Sequence, residues 1–179
     1  CLTLLYTNDT HGHLFPFDYK EGKNIGGISR RAELIKQIRQ EPNRSAIVLD
    51  AGDVFQGTPM SSVFKGKVDF EVMNIIGYDV MTLGNHEFDF GQETLLKRIG
   101  EAKFPVVCAN VIQEKDNKPL LEPMVIKNIQ GLKIGIIGVT TEEVPLTTSV
   151  ENVKGLKFLN PKETIKKLLE DTGEKPDIT

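Results

Sequence analysis

Short apolar runs alternate along this chain with stretches in which apolar residues recur every three or four positions. Leu2–Thr7, Ala46–Asp50, Asp79–Leu83, Phe104–Ala109 and Lys133–Val139 have strand length and a mostly buried character. Between them Ile28, Ala32, Ile35 and Ile38 keep helical spacing. So do Val68, Val72, Ile75 and Ile76, then Leu95, Leu96 and Ile99, and last Ile165, Leu168 and Leu169. Strands alternating with helices predict an α/β fold whose helices cover a sheet. The polar, turn-rich stretch 113–119, with 120–126 and 133–139 beyond it, predicts a hairpin-like excursion. Lys175–Thr179 follows a helix and reads as the opening of a further strand, so the chain is expected to be part of a larger domain.

Composition narrows the class. The 179 residues are 39% hydrophobic and 26% charged, enough to enclose a core, and no apolar run approaches the roughly 20 residues of a membrane-spanning helix. A net charge of −3 argues against a broad basic face for duplex nucleic acid, so any phosphate must be met locally. The two cysteines make no disulfide framework; Cys108, inside an apolar run, reads as a core residue. Because Leu2 opens directly into a strand, nothing at the amino terminus reads as a signal peptide. A cytoplasmic protein and one whose leader has been removed both fit.

Three of the strands run straight into polar clusters: 7–13 (TNDTHGH), 50–53 (DAGD) and 84–89 (GNHEFD). In open α/β sheets the ligand site lies beyond the carboxyl ends of the strands, so these clusters are expected to converge. Asp9 and His11, two apart, offer an oxygen and a nitrogen to one ion. Asp53 follows a glycine that permits a sharp turn, and its carboxylate can bridge two metals. Asn85 supplies a neutral amide oxygen. Oxygen and nitrogen donors without thiolate favour Zn, Mn, Fe, Co, Ni or Mg. His86 is a candidate acid, and Asp89, one helical turn on, can orient its ring. Two divalent metal ions would activate a water and clamp a phosphoryl group, with His86 and Asp89 stabilising the transition state or leaving oxygen.

Segments 8–13, 26–31 (GGISRR), 50–58 (DAGDVFQGT), 77–89 (GYDVMTLGNHEFD) and 104–110 (FPVVCAN) resemble the 5'-nucleotidase and 2',3'-cyclic phosphodiesterase branch of the calcineurin-like metallophosphoesterases. The resemblance runs in order through nearly the whole chain. It implies a four-layer α/β/β/α sandwich, present as its amino-terminal part over residues 1–179. It implies Asp9 and His11 on one metal, Asp53 as the bridge, Asn85 on the other metal, and His86 with Asp89 as the catalytic dyad. It also implies a nucleotide or other small phosphoester substrate and an exported enzyme, with cytoplasmic location left open. The remaining metal ligands, mainly histidines, and a carboxy-terminal nucleoside-binding domain belong to later parts of such proteins, and no histidine follows His86 here. Two alternatives stand beside this reading: a hydrolase cleaving a sulfate-type group from a thiol carrier on the same scaffold, or a fragment without activity of its own.

Several residues have ordinary explanations too. His13 fits a pocket wall or a turn histidine bonded to backbone. Gly26–Gly27 could present amides to phosphate or simply allow positive φ. Asn110 reads either as a substrate contact or as an amide capping nearby backbone. The glycines of 133–138 (KIGIIG) lack dinucleotide-motif spacing and read as close sheet packing, and Glu142 and Glu143 read as solvated. No Gly-x-Ser-x-Gly elbow and no P-loop occur.

Overall fold

The computed structural model describes residues 1–171, 173 and 175–179. In chain order the elements are β1 (Leu2–Thr7), β2 (Phe17–Tyr19), β3 (Gly22–Ile25), α1 (Ile28–Gln40), β4 (Ser45–Asp50), α2 (Pro59–Phe64), α3 (Lys67–Ile76), β5 (Val80–Thr82), α4 (Gln92–Glu101), β6 (Val106–Val107), β7 (Val111–Gln113), β8 (Met124–Ile129), β9 (Leu132–Ile137), α5 (Val144–Thr147), β10 (Leu156–Phe158) and α6 (Pro161–Asp171). Single 3-10 turns cover His86–Phe88 and Val150–Val153.

Strands β1, β4, β5 and β6 form a parallel sheet in that order, as expected of strands joined by helical crossovers. Ile35 of α1, Phe70 and Met73 of α3, and Leu95 of α4 bury into one core with Val48 and Met81 of the sheet and with Leu83 just past β5. On the other side Tyr6, Leu49, Thr82 and Ile136 line an open apolar groove. Of the four layers expected, these residues build a helical layer and the parallel sheet beneath it. They add three antiparallel pairs: β2 with β3, β7 with β10, and β8 with β9.

The expected strands and helices form, with two differences. The hairpin lies later than 113–119: β8 and β9 pair in full register about Gln130 and Gly131, both at positive φ (53° and 85°), the geometry of a type I′ turn. Residues 114–118 instead form a tight connection in which Gln113 N–H donates to the Lys118 carbonyl at 2.8 Å. In α3 the buried side chains are Asp69, Phe70 and Met73, while Ile75 is 84% exposed. That helix carries apolar residues all round, so periodicity alone could not select its inner face. Phe70 selects it by packing between Phe55 and Phe104, ring centroids 5.7 and 6.0 Å away. The tail runs parallel to β9: Ile134 bridges Ile178, Gly135 N–H donates to the Ile178 carbonyl at 2.8 Å, and Asp177 Oδ2 accepts Lys133 N–H at 2.8 Å. Cys108 is fully buried, and burial pushes its thiol up to about 11, as suits an inert core residue.

Candidate metal centre

The chain leaves β1 and β4 side by side, and the pairing continues past the strands. Ala51 N–H donates to the Thr7 carbonyl, and Asp9, His11 and Gly12 N–H donate to the carbonyls of Gly52, Asp53 and Val54, each at 2.8–3.0 Å. The first two polar clusters are thereby zipped together at backbone level. This run is not extended: Asp9, His11 and Asp53 have φ of 50°, 44° and 55°. Non-glycine residues seldom occupy this region, and such conformations gather at functional sites. Three of the four expected metal ligands therefore share an uncommon backbone state that compacts the loops.

The third cluster is tied in through Glu87. Its side chain is fully buried, and its two oxygens accept N–H bonds from Gly84 (2.6 Å), Asp53 (2.8 Å), Val54 (2.8 Å) and Phe55 (3.3 Å). Burial pushes this carboxyl up to about 7, the Asp53 charge pushing the same way, while the N–H donors of Asp53, Gly84 and Val54 oppose both. Those four partners donate, an arrangement matched to the carboxylate and not to the acid. Close approach is secured by two glycines. A Cβ on Gly52 would lie 2.2 Å from Gly84 N, and one on Gly84 would lie 2.2 Å from an Asp53 carboxylate oxygen.

What converges is a compact donor group. Ligand atoms of His11, Asp53 and His86 all lie within 4.8 Å of one another. The rings of His11 and His86 meet edge to face at 4.9 Å, and Asp9 Oδ1 is 3.7 Å from His11 Nε2. Asp53 Oδ1 also accepts the His86 backbone N–H at 2.9 Å. Asn85 sits half-buried between Gly84 and His86 at the same strand end. Imidazole and carboxylate donors held this closely fit a divalent ion, and Asn85 stands next to His86 in the same loop.

His86 Nδ1–H donates to Asp89 Oδ2 at 2.6 Å across the 3-10 turn, leaving Nε2 for the cluster. Burial pulls the His86 pKa down, but the Asp89 bond and the charges of Asp89, Asp53 and Glu87 outweigh it and leave it raised. Below the cluster, Asp50 accepts the Thr7 hydroxyl (2.6 Å) and Gly52 N–H (2.9 Å). Burial drives its carboxyl up to about 6 in spite of them.

The remaining candidates separate. Asn110 is fully buried: its amide donates to the carbonyls of Thr140 and Leu159, both at 2.8 Å, and its oxygen accepts Thr140 N–H at 2.9 Å. The capping role is the one the geometry gives it, since both ends of the amide are engaged by backbone. His13 meets the Thr10 carbonyl through Nδ1 at 3.2 Å and packs on Phe17, as a turn histidine does. Its ring also borders a cleft shared with Asn8, Asp9 and Arg31. Glu87, together with Thr148 and Asn152 against Asp89, was not foreseen. Glu87 stood in view beside His86, and the polar Thr148 and Asn152 gave no signal because their partner is some sixty residues away.

Residues 2–179 match the calcineurin-like phosphoesterase family. A 5'-nucleotidase of Vibrio cholerae is 40% identical over 182 residues, covering 99% of this chain and 32% of the relative. The crystal structure of a 5'-nucleotidase precursor from Thermus thermophilus superposes with a TM-score of 0.85 at 35% identity, over 95% of this chain and 34% of that one. A Thermus thermophilus sulfate thiohydrolase shares the fold with a TM-score of 0.84 at 18% identity, over 94% of this chain and 41% of that one. This chain thus spans about a third of the length of the 5'-nucleotidases it matches. With the polar strand ends drawn into one donor cluster and the match running through residues 2–179, the chain belongs to the calcineurin-like phosphoesterase family.

Proposed function

We propose that this chain supplies the metal-binding and acid–base half of a hydrolase acting on nucleotides, of the 5'-nucleotidase or 2',3'-cyclic nucleotide phosphodiesterase type. The observation that carries the reading is the convergence of His11, Asp53 and His86, with His86 Nδ1 already committed to Asp89. Asp9 and His11 would hold one ion, Asn85 the other, and Asp53 would bridge them. Bound there, divalent ions supply Lewis acidity toward the phosphoryl group and activate water for attack.

The residues of this chain do the rest. Asp89 fixes the His86 ring, and the raised pKa of His86 favours the protonated form. An imidazolium at that position stabilises developing negative charge or protonates the departing oxygen. Remaining ligands and a nucleoside-binding domain would come from regions that the 5'-nucleotidases possess and this chain does not span. Export from the cytoplasm belongs to the same proposal, and cell fractionation tests it.

The test is phosphate release from nucleoside 5'-monophosphates and 2',3'-cyclic nucleotides by the complete protein, dialysed and reloaded with Mn²⁺ or Zn²⁺. Turnover that collapses in Asp53→Asn supports the assignment. No release from any nucleotide, with Asp53→Asn indistinguishable from the parent, sinks it. Activity confined to thiol-linked sulfate substrates would transfer the site to the alternative chemistry.

A further inference from the structure

Asp89 is held from two sides, and only one is explained by its partnership with His86. Its Oδ2 accepts His86 Nδ1–H at 2.6 Å, whereas its Oδ1 accepts the Thr148 hydroxyl at 2.8 Å. The Asp89 backbone carbonyl accepts the Asn152 side-chain amide at 2.8 Å. Thr148 closes α5 and Asn152 lies in the following 3-10 turn, so both come from one segment far from Asp89 in sequence.

That segment is well anchored. Val144 and Val153, at its two ends, are buried in the main core. Gln92 adds two more ties, donating to the carbonyls of Asn152 (3.2 Å) and Lys154 (3.0 Å). Residues 144–154 therefore form a brace against the loop that carries His86 and Asp89.

We propose that Thr148 is a positioning residue for His86, acting through Asp89. A carboxylate with one engaged oxygen can turn about its Cβ–Cγ bond, and the imidazole follows or loses its partner. With Oδ1 held by the Thr148 hydroxyl, Oδ2 stays at Nδ1, and the ring keeps the Nδ1–H tautomer with Nε2 facing the donor cluster. The side chain of Asp89 is only 10% exposed, so water replaces a lost hydroxyl poorly. This inference rests on the proposed role of His86 and Asp89 as a dyad.

The experiment uses the complete protein and three variants: Thr148→Val, close in shape but without the hydroxyl, Thr148→Ser, which restores it, and His86→Ala. With Mn²⁺ and adenosine 5'-monophosphate, Thr148→Val should lower kcat about tenfold with KM changed less than about twofold and metal content unchanged. Thr148→Ser should return kcat to within about threefold of the parent. Combined with His86→Ala, Thr148→Val should cost nothing further, because its effect passes through His86. Full kcat in Thr148→Val, no rescue by serine, or a loss that adds to that of His86→Ala would overturn the proposal.

A second readout does not need activity. In metal-free protein labelled with ¹⁵N-histidine and held at a pH where the His86 ring is neutral, ring nitrogen shifts should report the Nδ1–H tautomer of His86 in the parent and in Thr148→Ser. In Thr148→Val they should report a mixture. A parent that hydrolyses no nucleotide but shows this tautomer change removes the proposed function and leaves the positioning role standing. An unchanged tautomer in Thr148→Val removes the positioning role whatever the activity.

Discussion

At the carboxyl ends of β1, β4 and β5 the chain buries charge, and along α6 it buries nothing. Glu87 is fully enclosed and Asp50 is 3% exposed, while no residue of α6 is buried and Leu169 remains 42% exposed. Yet α6 is the easier element to read from sequence, with a clean apolar stripe and Asn160 Oδ1 accepting Glu163 N–H at its amino end. Helical pattern follows from local spacing, whereas burial depends on what the rest of the molecule brings to that face. The strand ends reverse the balance. Glu87 and Asp50 are enclosed there, on irregular backbone, because hydrogen-bond partners, several of them distant in sequence, satisfy their carboxylates, while Asp9 beside them stays exposed.

The sharpest break of this contrast is Asp53→Ala. It removes the carboxylate at the centre of the cluster, and Mn²⁺ affinity measured by calorimetric titration of the complete protein should fall by about a thousandfold or more. Affinity within tenfold of the parent would mean that the cluster does not bind metal through Asp53. Next comes Glu87→Ala. Four backbone N–H groups lose their acceptor, so denaturant unfolding should show a loss of about 4 kcal/mol or more. A cost below about 1 kcal/mol would show that water enters and that the loops are not held from within.

Asp50→Asn sets burial of charge against pH. Asp50 has its carboxyl raised to about 6, so the folded state takes up the proton more readily than the unfolded chain. Its favourable contribution is complete below about pH 4 and is lost as the pH rises through 6. The variant should therefore gain on the parent by about 3 kcal/mol between pH 4 and 7, and a difference independent of pH would contradict the burial argument. The smallest effect belongs to α6, where Leu169→Ser should change stability by less than about 0.5 kcal/mol. A loss above about 2 kcal/mol would mean that something covers this face in the complete protein.

Legibility in the sequence followed the same division. The five strands expected from apolar runs form, 104–109 only as Val106–Val107, and so do the four periodic helices, because each depends on a local repeat; α6 forms on that repeat although none of its residues is buried. Rotation of α3 was not legible, since Val68, Phe70, Val72, Met73, Ile75 and Ile76 surround that helix and only the rings of Phe55 and Phe104 choose among them. Asp9 and His11 do lie close together, Asp9 Oδ1 3.7 Å from His11 Nε2, by a route the sequence did not announce. Both sit at positive φ, and the pair is assembled by bonds to the Asp53 loop.

By itself the sequence determined the α/β class, the order of the elements and the polar residue types at three strand ends. Each of these rests on composition or on spacing within a few residues. Tertiary structure decided which of those residues share one centre: it gathered His11, Asp53 and His86, gave Asn110 to backbone capping, and brought Glu87 and Thr148 in as supports. The physical reason is that a buried polar group must find its partner wherever the fold supplies one. Those partners, thirty to sixty residues away, leave no periodic mark along the chain.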